Sequence, residues 1–158
     1  MKKIICFSLL SVVLASAVTL SSCNGPTVYD SYQSTPVAGW EKNDTLSFCI
    51  SPLDTTAVYD ATLGLRTTGE YPFTAITLIV EQHVYPSDRV LTDTVNCRLT
   101  DDRGNSVGKG ISYHQYEFPI GRVELHSGDS IHVLVRHDMK REILPGISDV
   151  GITLKKVQ

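Results

Sequence analysis

The sequence predicts an all-β protein of one domain, an antiparallel β-sandwich with roughly eight strands, either immunoglobulin-like or jelly-roll-like. Three observations favour this class. Apolar and polar residues alternate in short runs, turn-forming residues separate the runs, and little helical periodicity is visible. Because alternation alone does not distinguish one closed sheet from two packed sheets, an open β-barrel is the alternative fold.

Alternating runs define the predicted strands. In the clearest run, Ile76, Leu78 and Val80 share one face, as expected for a half-buried strand. Turn-forming residues separate neighbouring runs: Pro86-Ser87-Asp88 is one example, and the stretch 101–105 predicts a hairpin loop. In chain order the predicted strands centre on residues 46–50, 62–66, 76–81, 95–99, 111–118, 123–125, 131–135 and 150–154.

The N-terminal residues have the order of a bacterial secretion signal. Met1-Lys2-Lys3 supplies positive charge, residues 4–20 form an apolar run, and small residues then lead to Cys23. This ending is similar to a lipobox, so residues 1–22 are predicted to be a lipoprotein signal peptide and Cys23 the acylated first residue of the mature chain. A transmembrane anchor is the alternative, but the apolar run is short and is diluted by four Ser or Thr residues.

The mature chain is interpreted as a tether followed by one domain. Residues 23–43 are predicted to be a lipid-anchored tether, because they contain Gly, Pro and many Ser, Thr and Tyr residues without a strand period. Tyr29, Tyr32 and Trp40 are unusual in a free linker, so part of this segment is expected to dock on the domain. Trp40 is expected to fill the edge of the core. Residues 44–158 then form the β-sandwich domain.

Composition and charge exclude several kinds of partner. Without the signal, 12 basic residues (14 less Lys2 and Lys3) face 17 acidic ones, so the net charge is −5 with neutral histidines. An acidic chain without a run of Lys or Arg is a poor nucleic-acid binder, and the same balance argues against electrostatic binding to anionic lipid. The membrane is therefore expected to be reached through acyl chains on Cys23.

Cys49 and Cys97 are the two thiols of the mature chain besides the predicted lipid attachment site. A secreted chain enters a compartment that permits a disulfide, but the sequence sets no distance between the two residues. We expect free, buried cysteines on separate strands, each acting as a small hydrophobic residue. Two thiols without a nearby histidine pair do not make a zinc site.

Residues 104–108 match Gly-x-Ser-x-Gly, the pattern that surrounds the nucleophile of many hydrolases. In those enzymes the serine lies on a sharp turn between a strand and a helix. Here the pattern lies among hairpin residues and no amphipathic helix follows Ser106, so a plain turn is predicted. A serine hydrolase is the least favoured function, and no catalytic residue is assigned.

No metal or cofactor site is predicted. The five histidines contain neither a His-x-His pair nor a His-Glu-x-x-His motif. His132 and His137 lie five positions apart on one predicted strand, so they point to opposite faces. Asp101, Asp102 and Asn105 lack the spacing of an EF-hand loop, and an acidic turn is the better interpretation.

Two features indicate binding rather than catalysis. Tyr71-Pro72-Phe73 places two aromatic side chains around a proline in a predicted loop, so Tyr71 and Phe73 are candidate partner-binding residues. The same loop could instead fold back as a core plug, and both alternatives stay open. A glycan-binding envelope lipoprotein is a second functional class, which an exposed row of aromatic rings including Tyr113 and Tyr116 would favour.

Short patches distributed along the whole mature chain carry a family resemblance. They are Tyr29-Asp30-Ser31-Tyr32, Trp40-Glu41-Lys42-Asn43-Asp44, Arg66, Tyr71-Pro72-Phe73, Asp93-Thr94, Gly108-Lys109-Gly110, His137-Asp138-Met139 and Gly146-Ile147-Ser148-Asp149-Val150-Gly151-Ile152. In their order and spacing these patches together resemble the gliding-motility lipoprotein (GldH) family of Bacteroidota. The resemblance comes from the joint match, since each patch is short.

The resemblance implies an outer-membrane lipoprotein whose Cys23 carries acyl chains such as palmitate. It implies a non-catalytic accessory or structural component of the gliding-motility and type IX secretion machinery, acting through contacts with envelope proteins. No catalytic residue, cofactor or small-molecule substrate is implied. After Cys23, Asn24-Gly25-Pro26-Thr27 lacks the acidic cluster of surface-exported lipoproteins in this phylum, which favours the periplasmic face of the outer membrane.

Overall fold

The computed structural model describes residues 27–157. Within this range there are ten β-strands, and no helix is long and apolar enough to cross a membrane. In chain order the strands are β1 (Thr27–Ser34), β2 (Trp40–Glu41), β3 (Leu46–Ile50), β4 (Ala57–Thr67), β5 (Ala75–Tyr85), β6 (Arg89–Arg98), β7 (His114–Leu125), β8 (Ser130–His137), β9 (Ile143–Leu144) and β10 (Ile147–Lys156).

Two four-stranded sheets pack face to face and form the predicted sandwich. The first sheet has the order β1-β10-β4-β7 and the second has the order β3-β8-β5-β6, with every neighbouring pair antiparallel. The short strands β2 and β9 form a third, two-stranded sheet. Across residues 27–157 these sheets do not close into one, so the all-β sandwich is confirmed and the open barrel is not the observed fold.

The core lies between the two large sheets because alternate side chains of each strand point inward. Along β8 every second residue is buried, beginning with Ile131, Val133 and Val135. The same alternation along β5 buries Ile76 and Leu78, as predicted for this strand. Inward-facing apolar residues from both sheets form one continuous cluster, so the chain has a single core.

Trp40 closes one edge of this core. Its side chain is fully buried, and the indole Nε1–H donates a hydrogen bond to the carbonyl oxygen of Asp44 at 3.1 Å. The residue opposite Trp40 in the β2–β9 pair is Leu144, which is also buried. The ring of His137 meets the indole edge-on, with 5.3 Å between ring centroids. The prediction that Trp40 fills the edge of the core is confirmed.

His137 is buried beside Trp40 with both ring nitrogens in hydrogen bonds. Nε2–H donates to the carbonyl oxygen of Trp40 at 3.2 Å, and the backbone N–H of Met139 donates to Nδ1 at 3.4 Å. Together these bonds require the neutral imidazole with its proton on Nε2. A second proton on Nδ1 would remove the acceptor that Met139 uses.

The surroundings of His137 favour this neutral form. Burial lowers the pKa of the imidazole from its ordinary value of 6.5, and the positive charge of Lys42 lowers it further. The hydrogen bond to Trp40 and the carboxylates of Glu142 and Asp138 act in the opposite direction on the same pKa, but burial is the largest effect. The folded protein therefore resists protonation of His137 more than the unfolded chain does.

We predict that the free energy of unfolding decreases as the pH falls below about 6.5. In that range the unfolded chain binds a proton at His137 that the folded chain resists, whereas at higher pH both are neutral and the stabilisation is fully present. His137→Gln, whose amide both donates and accepts, should flatten this pH dependence. Urea titrations between about pH 7.5 and about pH 5 measure the slopes; equal slopes for the wild type and His137→Gln would contradict this assignment.

Residues 27–34 form the strand β1, although the sequence predicts a tether over residues 23–43. β1 pairs with β10 over its length, from Thr27 opposite Lys155 to Ser34 opposite Asp149, with a register shift near its start. The strand lies at the edge of its sheet and much of it is exposed, so no regular burial pattern is present in its sequence. The sheet therefore begins far closer to Cys23 than the predicted boundary at residue 44.

The side chain of Tyr32 extends from β1 across the outer face of the sheet and helps to hold this edge strand in place. The phenol ring lies over Gly64 of β4 and Gly151 of β10, where a Cβ atom on either glycine would collide with the ring. The guanidinium carbon of Arg66 lies 4.0 Å from the ring centroid, at the distance of a cation–π contact. The two glycines are thus needed for the close approach of the tyrosine.

The sandwich has two ends, because antiparallel strands place successive loops alternately at each of them. The start of β1 lies at one end, which we call the Thr27 end. Its loops are joined by a hydrogen bond from the N–H of Leu53 to the carbonyl oxygen of Asp129 at 2.9 Å. The Thr27 end has the loops 51–56, 86–88 and 126–129, and the opposite Phe73 end has the loops 35–39, 68–74, 99–113 and 138–142.

Candidate protein-binding surface

Exposed large apolar side chains are concentrated at the Phe73 end. Of ten such side chains among the described residues, six lie there, and Ile111 is 97% exposed. Single exposed apolar residues are normal on a protein surface, whereas contiguous apolar patches mark interaction sites, so the end with the larger number of such residues is the candidate. We call these six residues the apolar loop surface: Val37, Phe73, Val107, Ile111, Tyr113 and Ile143.

The two predicted partner-binding residues have different environments. Phe73 is exposed, whereas Tyr71 is half-buried and packs against the core. The rings meet edge-on with 5.7 Å between centroids, and the hydroxyl of Tyr71 donates to the carbonyl oxygen of Ala75 at 3.0 Å. Burial raises the pKa of Tyr71, which keeps the hydroxyl protonated as a donor. Tyr71 thus serves as a partial core plug that supports Phe73 at the surface.

The long loop between β6 and β7 is shaped by Asp101. Its Oδ1 accepts hydrogen bonds from the backbone N–H groups of Arg103 at 2.9 Å and Asn105 at 2.8 Å, and its Oδ2 accepts one from the Asn105 side chain. The bonds from Asn105 contribute most to a lowered pKa of the Asp101 carboxyl. Asp102 forms an ion pair with Arg98. The acidic turn interpretation is confirmed, since N–H donors of the loop occupy the Asp101 carboxylate.

Ser106 takes part in this loop as a structural residue. Its hydroxyl lies 2.7 Å from the hydroxyl of Tyr116 and accepts a hydrogen bond from the N–H of Gly108 at 3.2 Å. The residue forms an isolated bridge with Thr100, and the next regular element is the strand β7 rather than a helix. The strand-to-helix turn of a hydrolase nucleophile is not formed at this position.

The aromatic row that would favour glycan binding is not exposed as a unit. Tyr116 is only 6% exposed and belongs to the core, although Tyr113 is exposed in the preceding loop. Tyr116 stacks on Phe118 with 6.2 Å between centroids. The ring of Tyr116 is thus unavailable as a platform for a sugar. The exposed row of Tyr113 and Tyr116 that would favour a glycan-binding lipoprotein is not formed.

The two cysteines lie on opposite faces of the second large sheet. Cys97 is buried and free, as predicted, and burial raises the pKa of its thiol to about 12. The prediction of burial for Cys49 is wrong, because this free thiol is exposed. Its neighbours Phe48 and Ile50 point into the core, so strand alternation directs Cys49 outward.

His83 of β5 and His132 of β8 share the outer face of the second sheet with Cys49. His132 lies opposite Cys49 on one neighbouring strand and opposite His83 on the other. The hydroxyl of Ser47 lies 2.5 Å from Nε2 of His132. His137 faces the other side of β8, as predicted. Within residues 27–157, no group of three or more His, Cys, Asp or Glu residues could hold a metal ion.

Most of the apolar loop surface is not predicted from the sequence. Ile111 is expected at the start of a strand, 111–118, whereas β7 begins at His114 and leaves Ile111 in the loop. Val37 lies in the segment predicted to be a tether, where a lone valine carries no pattern. Apolar residues beside Gly108 and Gly110, outside any alternating run, are the signal that could have indicated an exposed loop.

Comparison with solved structures gives distant likenesses. One is to a GH115 4-O-methyl-α-glucuronidase, with 11% sequence identity and a TM-score of 0.45. That alignment covers 87% of this chain but only 18% of the enzyme chain. The likeness is too remote to bear on function.

Sequence comparison gives closer matches over almost the whole chain. The chain is 30% identical over 156 residues to the gliding motility lipoprotein GldH of Flavobacterium johnsoniae, covering 92% of this chain and 94% of that protein. It is 26% identical over 157 residues to a gliding motility lipoprotein GldH homolog of Christiangramia forsetii, covering 92% and 93%. The family described as GldH lipoprotein matches residues 27–154. The chain therefore belongs to the GldH lipoprotein family.

Proposed function

We propose that this protein is a non-catalytic, lipid-anchored accessory or structural component of the gliding-motility and type IX secretion machinery. Membership of the GldH lipoprotein family supports this, since two relatives that span almost the whole chain are named as gliding motility lipoproteins. In this proposal the protein acts through contacts with other envelope proteins. Ser106, the serine of the hydrolase-like pattern, serves the packing of its loop.

Cys23 is the proposed lipid attachment site. It lies outside the described residues, so the proposal is supported by the signal pattern and by the lipoprotein family. Each buried methylene of an acyl chain contributes about 0.8 kcal/mol, and two chains give stable anchoring where one is marginal. The absence of acidic residues at positions 24–27 supports the periplasmic face of the outer membrane.

The apolar loop surface is the observation that carries the proposed protein contacts. Phe73 presents an aromatic ring at the surface, and Tyr71 supports it from below through the edge-on contact. Aromatic residues near the centre of an interface contribute a large share of binding energy once a partner excludes water from them. We infer that the partner is an envelope protein with an apolar patch that covers Phe73 and Ile111.

We predict that Phe73→Ala combined with Ile111→Ser weakens capture of envelope partners. If both side chains are central contacts, the loss is about 2 kcal/mol, or about thirty-fold in affinity. The fold should be retained, because both side chains are exposed. The measurement is affinity capture of the tagged lipoprotein from detergent-solubilised membranes, with the captured proteins quantified by mass spectrometry against the wild type.

The matched control for this experiment is Thr92→Ala combined with Thr94→Ala, two exposed residues in the middle of β6 that lie away from both ends of the sandwich. Tyr71 is tested separately by Tyr71→Phe, which removes its hydroxyl without opening a cavity, because a change to alanine would mix binding with folding. If the normally folded Phe73 and Ile111 variant captures the same partners as the wild type, the apolar loop surface is not the binding site.

A further inference from the structure

We propose that the Thr27 end of the sandwich lies directly on the surface of the membrane that holds the acyl chains. The inference rests on the proposed lipidation of Cys23. Only residues 24–26 separate Cys23 from Thr27, the first residue of β1. A fully extended chain spans at most about 3.3–3.6 Å per residue, so the four steps from Cys23 to Thr27 reach about 14 Å.

The pairing of β1 keeps this connection short. Thr27 lies opposite Lys155 of β10, and the pairing continues to the last residue of β1. A side-chain hydrogen bond from the hydroxyl of Thr153 to Asp30, 2.9 Å long, joins the same two strands. Farther along, Tyr32 packs over the glycines of the sheet. A longer connection would require breaking this ladder from its first residue.

The reach of about 14 Å also selects the occupant of the Thr27 end. A small folded domain is about 30 Å across, so another folded protein does not fit between this end and the bilayer. The headgroup surface of the anchoring membrane is therefore the layer against which the Thr27 end is held. The same reach does not bring the opposite end of the sandwich to the lipid.

The side chains of the Thr27 end suit a headgroup surface. Valine side chains and a tyrosine ring with its polar hydroxyl are favourable where an apolar layer meets water. Three exposed cations at this end, Arg89, Lys155 and Lys156, are balanced by the exposed carboxylates of Asp54, Asp88 and Glu124, so the contact does not depend on anionic lipid. Four exposed apolar residues, each the second or the last of its strand, lie at this end: Val28, Val58, Tyr85 and Val90.

This orientation sets the direction of the apolar loop surface. β4 and β5 each contain eleven residues and run from one end of the sandwich to the other. At about 3.3 Å per residue, such a strand is about 36 Å long. The apolar loop surface then lies about that far from the headgroups and faces away from the bilayer. A partner that covers Phe73 approaches from the aqueous side.

Fluorescent labels at two matched positions test the orientation. Val90→Cys marks the Thr27 end and Val107→Cys marks the Phe73 end, and these valines are 52% and 56% exposed. Cys49→Ser removes the exposed native thiol, while Cys97 is buried. Each labelled lipoprotein is reconstituted into phosphatidylethanolamine and phosphatidylcholine vesicles with a nitroxide quencher on the headgroups. We expect the Val90 label to lose most of its fluorescence and the Val107 label to keep the intensity measured without quencher.

A tether variant provides the second measurement. An insertion of about ten glycine and serine residues between Pro26 and Thr27 lengthens the flexible connection and leaves the strands unchanged. The difference in quenching between the two labels should shrink in this variant. Equal quenching of the Val90 and Val107 labels in the protein without the insertion overturns the proposed orientation, as does stronger quenching at Val107.

Vesicle flotation separates this inference from the lipidation on which it rests. A protein that floats with the vesicles and shows equal quenching at both labels is anchored but not oriented as proposed. A protein that does not float, and whose intact mass contains no acyl chains, refutes the lipidation of Cys23 and the orientation with it.

Discussion

Cys23→Ser should abolish acylation of the protein and formation of the mature chain that begins at residue 23. A serine has no thiol to receive the lipid, so the chain loses every acyl group that the proposed anchor provides. Residues 27–157 contain no apolar helix that could replace this anchor by spanning the bilayer. The measurement is fractionation of cells that produce the full-length chain, followed by intact mass analysis of each fraction.

Cys49→Ser is the matched control for this prediction. It makes the same cysteine-to-serine change at an exposed thiol on β3 within the folded domain, so membrane association should stay as in the wild type. Membrane association and normal processing of the Cys23→Ser protein would contradict both the lipid anchor and the orientation that depends on it.

Trp40→Ala should lower the free energy of unfolding by about 3–5 kcal/mol, the usual range for removing a fully buried large aromatic side chain. The change leaves a cavity at the edge of the core and removes the hydrogen bond to the carbonyl of Asp44. It also removes the ring that His137 packs against. Urea unfolding of the soluble chain that begins at residue 24 measures this loss.

Tyr113→Ala is the control for the Trp40 variant. This aromatic side chain is exposed in the loop before β7, so its removal should change the unfolding free energy by less than about 0.5 kcal/mol. A loss of less than about 1 kcal/mol for Trp40→Ala would show that the β2–β9 pair does not seal the core as described.

In the proposed orientation, the acyl anchor and the apolar loop surface would lie at opposite ends of the sandwich. A lipid attached four residues before β1 would hold one end at the bilayer, while Phe73 and Ile111 are exposed at the other end. This arrangement suits an adaptor between the membrane and a protein partner. The stability predictions for Trp40 and His137 concern the Phe73 end, since Trp40 follows the loop 35–39 and His137 precedes the loop 138–142.

Local alternation predicts the inner strands well. β5, β8 and β10 each have a neighbour on both sides, and their inward faces are packed with apolar residues. A buried face next to a solvent face leaves a period of two in the sequence, which can be recognised without knowledge of the partner strands. β4 is found only in part, as 62–66 of Ala57–Thr67, because the inward-facing residues before Leu63 are Tyr59 and Ala61, which give a weaker apolar alternation than leucine, isoleucine or valine.

Edge position and side-chain exposure are harder to predict. β1 has no regular pattern because backbone pairing with β10 and the contact of Tyr32 with two glycines hold it, rather than a buried apolar face. The position of Ile111 depends on where β7 begins, and a shift of three residues turns a predicted strand residue into an exposed loop residue. Element boundaries depend on the partner strand, which the local sequence does not contain.

Patterns within a few residues of one another establish the all-β class and the signal-like N-terminus with its cysteine, and the order of short patches along the chain gives the resemblance to GldH lipoproteins. The folded arrangement alone shows that β1 belongs to the sheet and that exposed apolar residues from several loops meet at the Phe73 end. The physical reason is distance along the chain. The bond from the hydroxyl of Thr35 to the carbonyl of Ile147, for example, joins residues 112 positions apart, and no local pattern encodes such a contact.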